Sequence, residues 1–186
     1  MGKIPENYLP PKDMWPEYLV PEEFADTPSE LNLADFLLDR HVREGRGDNP
    51  AIKFMDKTIT YAQVQQQVNK FGNALKDIGV EPQDRVGIRL VNSPQAVVAI
   101  FAIEKIGAIP VPTSPLWSGE EVAFVANDAE MKLFIVNAPL MPPVEQAKPN
   151  FEHGTKVIVI GGEAEDSPGS GQSLDAASEP PVVGGK

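Results

Sequence analysis

Between Arg85 and Gly162 the chain alternates short apolar runs with amphipathic stretches of helix length, and that alternation leaves few folds open. "RVGIRLV", "AIPVP", "KLFIVN" and "KVIVIGG" read as strands, because apolar residues run through them without the alternation of a half-exposed sheet. "SPQAVVAIFAIEKIG" and "SGEEVAFVANDAE" read as intervening helices, with Ser93 as N-cap of the first and Pro94 at its first position. The stretch "APLMPPVEQAKPNF" reads as a connection broken by prolines. Buried strands separated by helices predict an α/β fold, a mostly parallel sheet with helices on both faces. Such a sheet binds ligands beyond the carboxyl ends of its strands.

The segment before this alternation carries a clear helix. In "TYAQVQQQVNKFGNALKDIG", Tyr61, Val64, Val68, Phe71, Leu75 and Ile78 recur every three or four residues and lay one apolar stripe. Thr60 and Gln63 match a capping box, and Gly79 stands where a left-handed C-terminal residue is wanted. Further upstream, "AIKF" and "TITY" flank a short turn and predict a hairpin. "LNLADFLLDRHV" predicts a helix capped by Asn32, with Leu33, Phe36, Leu37 and Arg40 at helical spacing. Three segments are expected: an extended, Pro- and aromatic-rich arm over 1–30, an α/β subdomain over 31–162, and a Gly/Ser/Pro-rich tail or linker over 163–186.

Charge and residue usage exclude several chemistries. Acids outnumber bases 27 to 16, for a net charge of −11, which argues against nucleic-acid and anionic-membrane partners. The absence of cysteine removes disulfides and thiolate sites, and two histidines are too few for a zinc centre. The N-terminus has neither signal- nor transit-peptide character, so a cytoplasmic setting is expected. No G-x-x-x-x-G-K-[ST] or G-x-S-x-G occurs, and "VIVIGG" lacks the glycines that a dinucleotide site needs after it. His41, read as exposed, is expected to be solvated surface.

The loop "TSPLWSGEE", residues 113–121, carries the most suggestive chemistry. It follows "AIPVP" and opens the next helix, where Ser118 and Glu121 match a capping box. A helix N-terminus attracts anions, but Glu120 and Glu121 place negative charge in the first turn and repel phosphate. A structural corner is therefore the first reading, and a site wall of Thr113, Ser114 and Trp117 is the second.

Three stretches together resemble a known family. "TITYAQVQQQVNKFGNALKDIGVEPQDRVGI" and "FAIEKIGAIPVPTSPLWSGEE" are similar to two blocks of the AMP-forming acyl-CoA synthetases, the adenylate-forming superfamily. "NLADFLLDRHVREGRGDNPAIKF", with "PENYLPPKDMWPEY", most resembles the branch acting on benzoate or 2-aminobenzoate. The resemblance implies adenylation of a small carboxylic acid by ATP with Mg, followed by thioester formation with CoA. It places Ser114, Pro115, Leu116 and Trp117 near the CoA pantetheine tunnel and offers no catalytic residue or metal ligand in these 186 residues. The family's phosphate loop, adenine motif, ribose-binding aspartate and C-terminal lysine are absent, so an inactive N-terminal fragment is expected. The alternative is a free-standing, non-enzymatic α/β module. An exposed sheet edge or apolar surface in such a module predicts self-association or a chaperone-like partner.

Overall fold

The computed structural model describes residues 9–17, 21, 27–28 and 30–161. A hairpin of β1 (Pro50–Phe54) and β2 (Lys57–Thr60) precedes α2 (Tyr61–Asp77), and a short helix, α1 (Arg40–Arg43), precedes the hairpin. There follow β3 (Arg85–Arg89), α3 (Pro94–Lys105), β4 (Ile109–Pro112), α4 (Gly119–Asp128), β5 (Leu133–Asn137), α5 (Met141–Ala147) and β6 (Lys156–Ile160). The last four strands form one sheet in the order β4-β3-β5-β6, parallel at every pairing.

The period-two geometry of the strands sorts their side chains into two cores. Val86, Ile88, Leu133, Ile135 and Ile160 join α2 and α3 on one face. Phe134 and Val136 join α4 and α5 on the other. Each fully buried Val, Leu, Ile or Phe contributes on the order of 1.5–3 kcal/mol relative to exposure, so this two-sided burial holds the layers together. The stripe expected on α2 is seen: Val64, Val68, Phe71 and Leu75 are buried, while Tyr61 is half-buried and Ile78 is exposed at the helix end. Thr60 and Gln63 close the capping box, Ser93 Oγ accepts from the Ala96 N–H, and Gly79 has φ +91°.

Three expectations require correction. The first helix buries Ala34 and Leu38, whereas Leu33 and Leu37 are exposed. Ala34 and Leu38 are four residues apart and share one helix face, as Leu33 and Leu37 share the next, so it is packing against the rest of the fold that selects the buried face; a π-helical turn runs over Asp35–Asp39. Asn32 still caps it through Oδ1, which accepts from the Asp35 N–H at 3.1 Å. The supposed broken connection contains α5, because Pro142 and Pro143 occupy first-turn positions whose N–H groups have no intrahelical acceptor. His41 is half-buried rather than exposed: its ring lies 4.5 Å from that of Tyr61, and Nδ1 accepts from Arg46 Nε at 3.0 Å.

Of the arm's aromatics, Trp15 is described, and its indole N–H donates to the Pro10 carbonyl at 2.8 Å. Tyr8, Tyr18, Phe24 and the segment 163–186 lie outside the described residues.

One group on α3 opposes folding at neutral pH. Glu104 Oε2 is buried without a hydrogen-bond partner, and burial pushes its carboxyl above the ordinary range. A carboxyl whose folded pKa is raised favours folding while protonated and loses that advantage as pH rises from about 4.3 through its folded value. Glu104→Gln is therefore expected to raise the melting temperature at pH 7 and to leave it nearly unchanged at pH 4. Thermal unfolding at the two pH values is the check; equal shifts at both would contradict the assignment.

Candidate functional site

The carboxyl ends of β3 and β4 are joined through one buried cation. Arg89 closes β3 with 0% exposure, in a strand otherwise apolar after its first residue. Its Nη1 donates to the Ser114 carbonyl at 2.7 Å, and its Nη2 donates to those of Pro115 and Trp117 at 2.9 Å each. No carboxylate pairs with it among the described residues, its Nε is buried without a partner, and burial lowers its pKa. Three carbonyl dipoles thus take the place of a counter-ion. The consequence is local: the loop after β4 is tied to the end of β3.

The rest of the loop is held in the same way, by backbone bonds. Thr113 is buried, and its N–H and Oγ1 both donate to the Ile88 carbonyl, at 2.9 and 3.2 Å. Ser114 Oγ accepts from the Leu116 N–H at 3.2 Å. Ser118 caps α4: Glu121 Oε2 accepts from its N–H at 2.8 Å and from its Oγ at 2.9 Å. These bonds to Ser118 hold the Glu121 carboxyl below the usual range. Gly119 admits the neighbouring helix, since a Cβ there would lie 2.8 Å from Gln146 Cβ and 3.0 Å from the Pro143 carbonyl.

The loop and α4 together outline an open groove of about 410 Å³ lined by Trp117, Glu120, Glu121, Phe124 and Val125. Leu116, at the loop tip, is 92% exposed, and Phe124 is 70% exposed. Among the residues singled out from the sequence, Trp117 lines the groove, Ser114 and Pro115 contribute their carbonyls to the Arg89 clamp, and Thr113 faces the strand end. The groove offers apolar contact rimmed by carboxylates, a surface that accepts an apolar arm and opposes a phosphate. No three His, Cys, Asp or Glu side chains converge as a metal site among the described residues.

Arg89 and Phe124 escaped the sequence reading. An arginine ending an apolar strand, and a phenylalanine one helical turn from two glutamates, were the available signals.

A parallel sheet sandwiched between helix pairs, with the loop after β4 opening a capped helix, matches the N-terminal part of a solved ligase of the adenylate-forming type. Comparison with known proteins agrees. The family described as "AMP-binding enzyme" matches residues 38–183, and the chain belongs to it. An acetyl-coenzyme A synthetase of Streptomyces avermitilis is 35% identical over 145 residues, 70% of this chain and 22% of that protein. A 3-hydroxybenzoate–CoA/4-hydroxybenzoate–CoA ligase of Thauera aromatica is 30% identical over 134 residues, 72% of this chain and 26% of that one. Among solved structures, the anthranilate CoA ligase AuaEII in complex with anthranoyl-AMP superposes with a TM-score of 0.73 at 28% identity, covering 81% of this chain and 28% of that one. The chain thus spans about a quarter of the length of the curated relatives it matches. No described helix is long and apolar enough to cross a membrane.

Proposed function

We propose that this chain serves as the N-terminal portion of a cytoplasmic, ATP-dependent, AMP-forming ligase that joins a small carboxylic acid to CoA. An aromatic acid of the 2-aminobenzoate type is the favoured substrate. The reading rests on the family match over residues 38–183 taken with the fold shared with an anthranilate CoA ligase. Within that reading Ser114, Pro115, Leu116 and Trp117 form part of the wall along which the pantetheine arm of CoA lies. The apolar Leu116 and Trp117 suit such an arm. Glu120 and Glu121 turn the nucleotide phosphates of CoA away from this end of the groove.

The described residues do not fit ATP or magnesium. They carry neither a glycine-rich phosphate cradle nor converging carboxylates, so the groups that handle ATP's charge belong to other parts of a longer ligase. The 186-residue chain alone is expected to release no pyrophosphate from ATP with benzoate or 2-aminobenzoate. The decisive experiment grafts residues 38–161 into the matching segment of the Thauera aromatica hydroxybenzoate–CoA ligase. Thioester formation by the chimera is the expected result. A chimera that folds and binds ATP but makes no thioester would overturn the proposal.

A further inference from the structure

β3 carries two arginines on the face that supports α4. Val86 and Ile88 join the core with α2 and α3, so Arg85, Gly87 and Arg89 share the opposite face, where Gly87 lies against Phe134. Arg89 holds the loop that enters α4. Arg85 holds the other end of the same helix: its Nε donates to the Ala129 carbonyl at 2.7 Å, and its Nη2 donates to the Glu130 carbonyl at 3.3 Å and to Glu130 Oε2 at 2.5 Å. The spacing fits, because four residues of strand advance about 13 Å and the ten residues of α4 about 15 Å.

Arg85 suits the end that it holds. The last carbonyls of α4 form the negative end of its dipole, Asp128 adds negative charge there, and the helix has no basic residue of its own. Glu130 follows in the left-handed region at φ +46°, and the Arg85 bonds to its carbonyl and carboxylate hold it there. The side chains that α4 buries are small, Val122, Ala123 and Ala126, so apolar contact alone fixes its position less firmly than Leu or Phe would. The helix is therefore mounted on β3 at both ends.

The two mounts bear on different places. The groove is lined by Trp117 of the loop and by residues of the first two turns of α4. Arg89 binds the backbone of Trp117 itself, whereas Arg85 binds residues beyond the groove. Given the reading of the loop as a wall for CoA, we propose that Arg89 is the positioning residue of that wall. By fixing the backbone from Ser114 to Trp117 it sets where the pantetheine arm makes apolar contact, and Arg85 anchors only the distal end of α4.

The full chain contains no cysteine, so Glu120→Cys places a single thiol in the groove. Pantethine, the disulfide of pantetheine, exchanges with it: the protein thiolate attacks the disulfide, a mixed disulfide forms and one pantetheine thiol leaves. In a mixture with 2-mercaptoethanol, the ratio of pantetheine to mercaptoethanol adducts, read by mass spectrometry, cancels the reactivity of the cysteine and reports how well the adjacent surface holds the arm. That ratio is expected to be about tenfold higher in Glu120→Cys than in Asp56→Cys, whose thiol sits on the exposed hairpin turn. Adding Arg89→Met should erase the preference, and adding Arg85→Met should leave it, although both substitutions lower the melting temperature. No preference in Glu120→Cys itself would overturn the CoA reading of the loop and the positioning role with it. A preference that survives Arg89→Met, or that Arg85→Met removes equally, would overturn the positioning role alone. If either methionine variant fails to fold, lysine at the same position replaces it: Arg89→Lys is then expected to reduce the preference and Arg85→Lys to leave it, and the opposite result in either overturns the role.

Discussion

Gly87→Ala is expected to lower the melting temperature by about 10 °C. Gly87 lies in β3, and in the parallel ladder it stands opposite Phe134 of β5. A Cβ at position 87 would sit 2.6 Å from Met131 Sδ and 2.9 Å from Phe134 Cε2, with Phe134 Cδ2 nearer still. Phe134 and Met131 are 1% and 0% exposed, so neither can swing into solvent. The ring uses the space above the glycine, and the strand opposite is set by that fit. Overpacking of this kind costs about 3 kcal/mol, and in a domain of this size each kcal/mol moves the melting point by about 2–4 °C. Gly87→Ala combined with Phe134→Leu should recover much of the loss, because a smaller side chain leaves the new methyl group room. Thermal unfolding of both single variants and the pair gives the coupling directly. A strictly additive pair would show that the clash is not the cause.

That dependence was not legible in the sequence, and the reason is physical. Periodicity reports which face of an element is apolar, and here it gave the parallel sheet, α2 with its capping box, and the caps of α3 and α4. Those features depend on residues within one turn or one strand of each other. Gly87 reads as a weak point in "RVGIRLV" until Phe134, forty-seven positions later, is placed beside it. The first helix buries Ala34 and Leu38 instead of Leu33 and Leu37 for a similar reason. Packing against later segments decides the register of such a short helix, and its own spacing does not. Asp39 illustrates this: it is 9% exposed, with Oδ2 2.8 Å from Lys105 Nζ on α3. The prolines misled in the other direction. They read as breaks, although at a helix's first turn they cost little.

At the candidate site, the loop was legible as a place and illegible as a mechanism of support. Composition drew attention to residues 113–121, yet what holds them is Arg89, a charge in a strand that reads as buried. Arg89→Met is expected to lower stability by about 2 kcal/mol, less than Gly87→Ala, while disturbing the loop more. Two effects oppose each other. Removing a buried guanidinium relieves a desolvation penalty, which favours the variant. Removing it also strips the carbonyls of Ser114, Pro115 and Trp117 of their donors. Pro115 and Leu116 are exposed, so the loop can move outward until water reaches those carbonyls, and the loss of order then falls mainly on the loop. In a Trp15→Phe background, which leaves Trp117 as the sole tryptophan, emission should shift to the red and amide exchange at Leu116 and Trp117 should quicken. Arg89→Lys should fall between the two, since an ammonium group donates three hydrogen bonds but from a single point instead of a planar fork. If Arg89→Met left both the melting temperature and Trp117 emission where they were, the loop would have to owe its shape to the Ser118 cap and the Thr113 bonds alone.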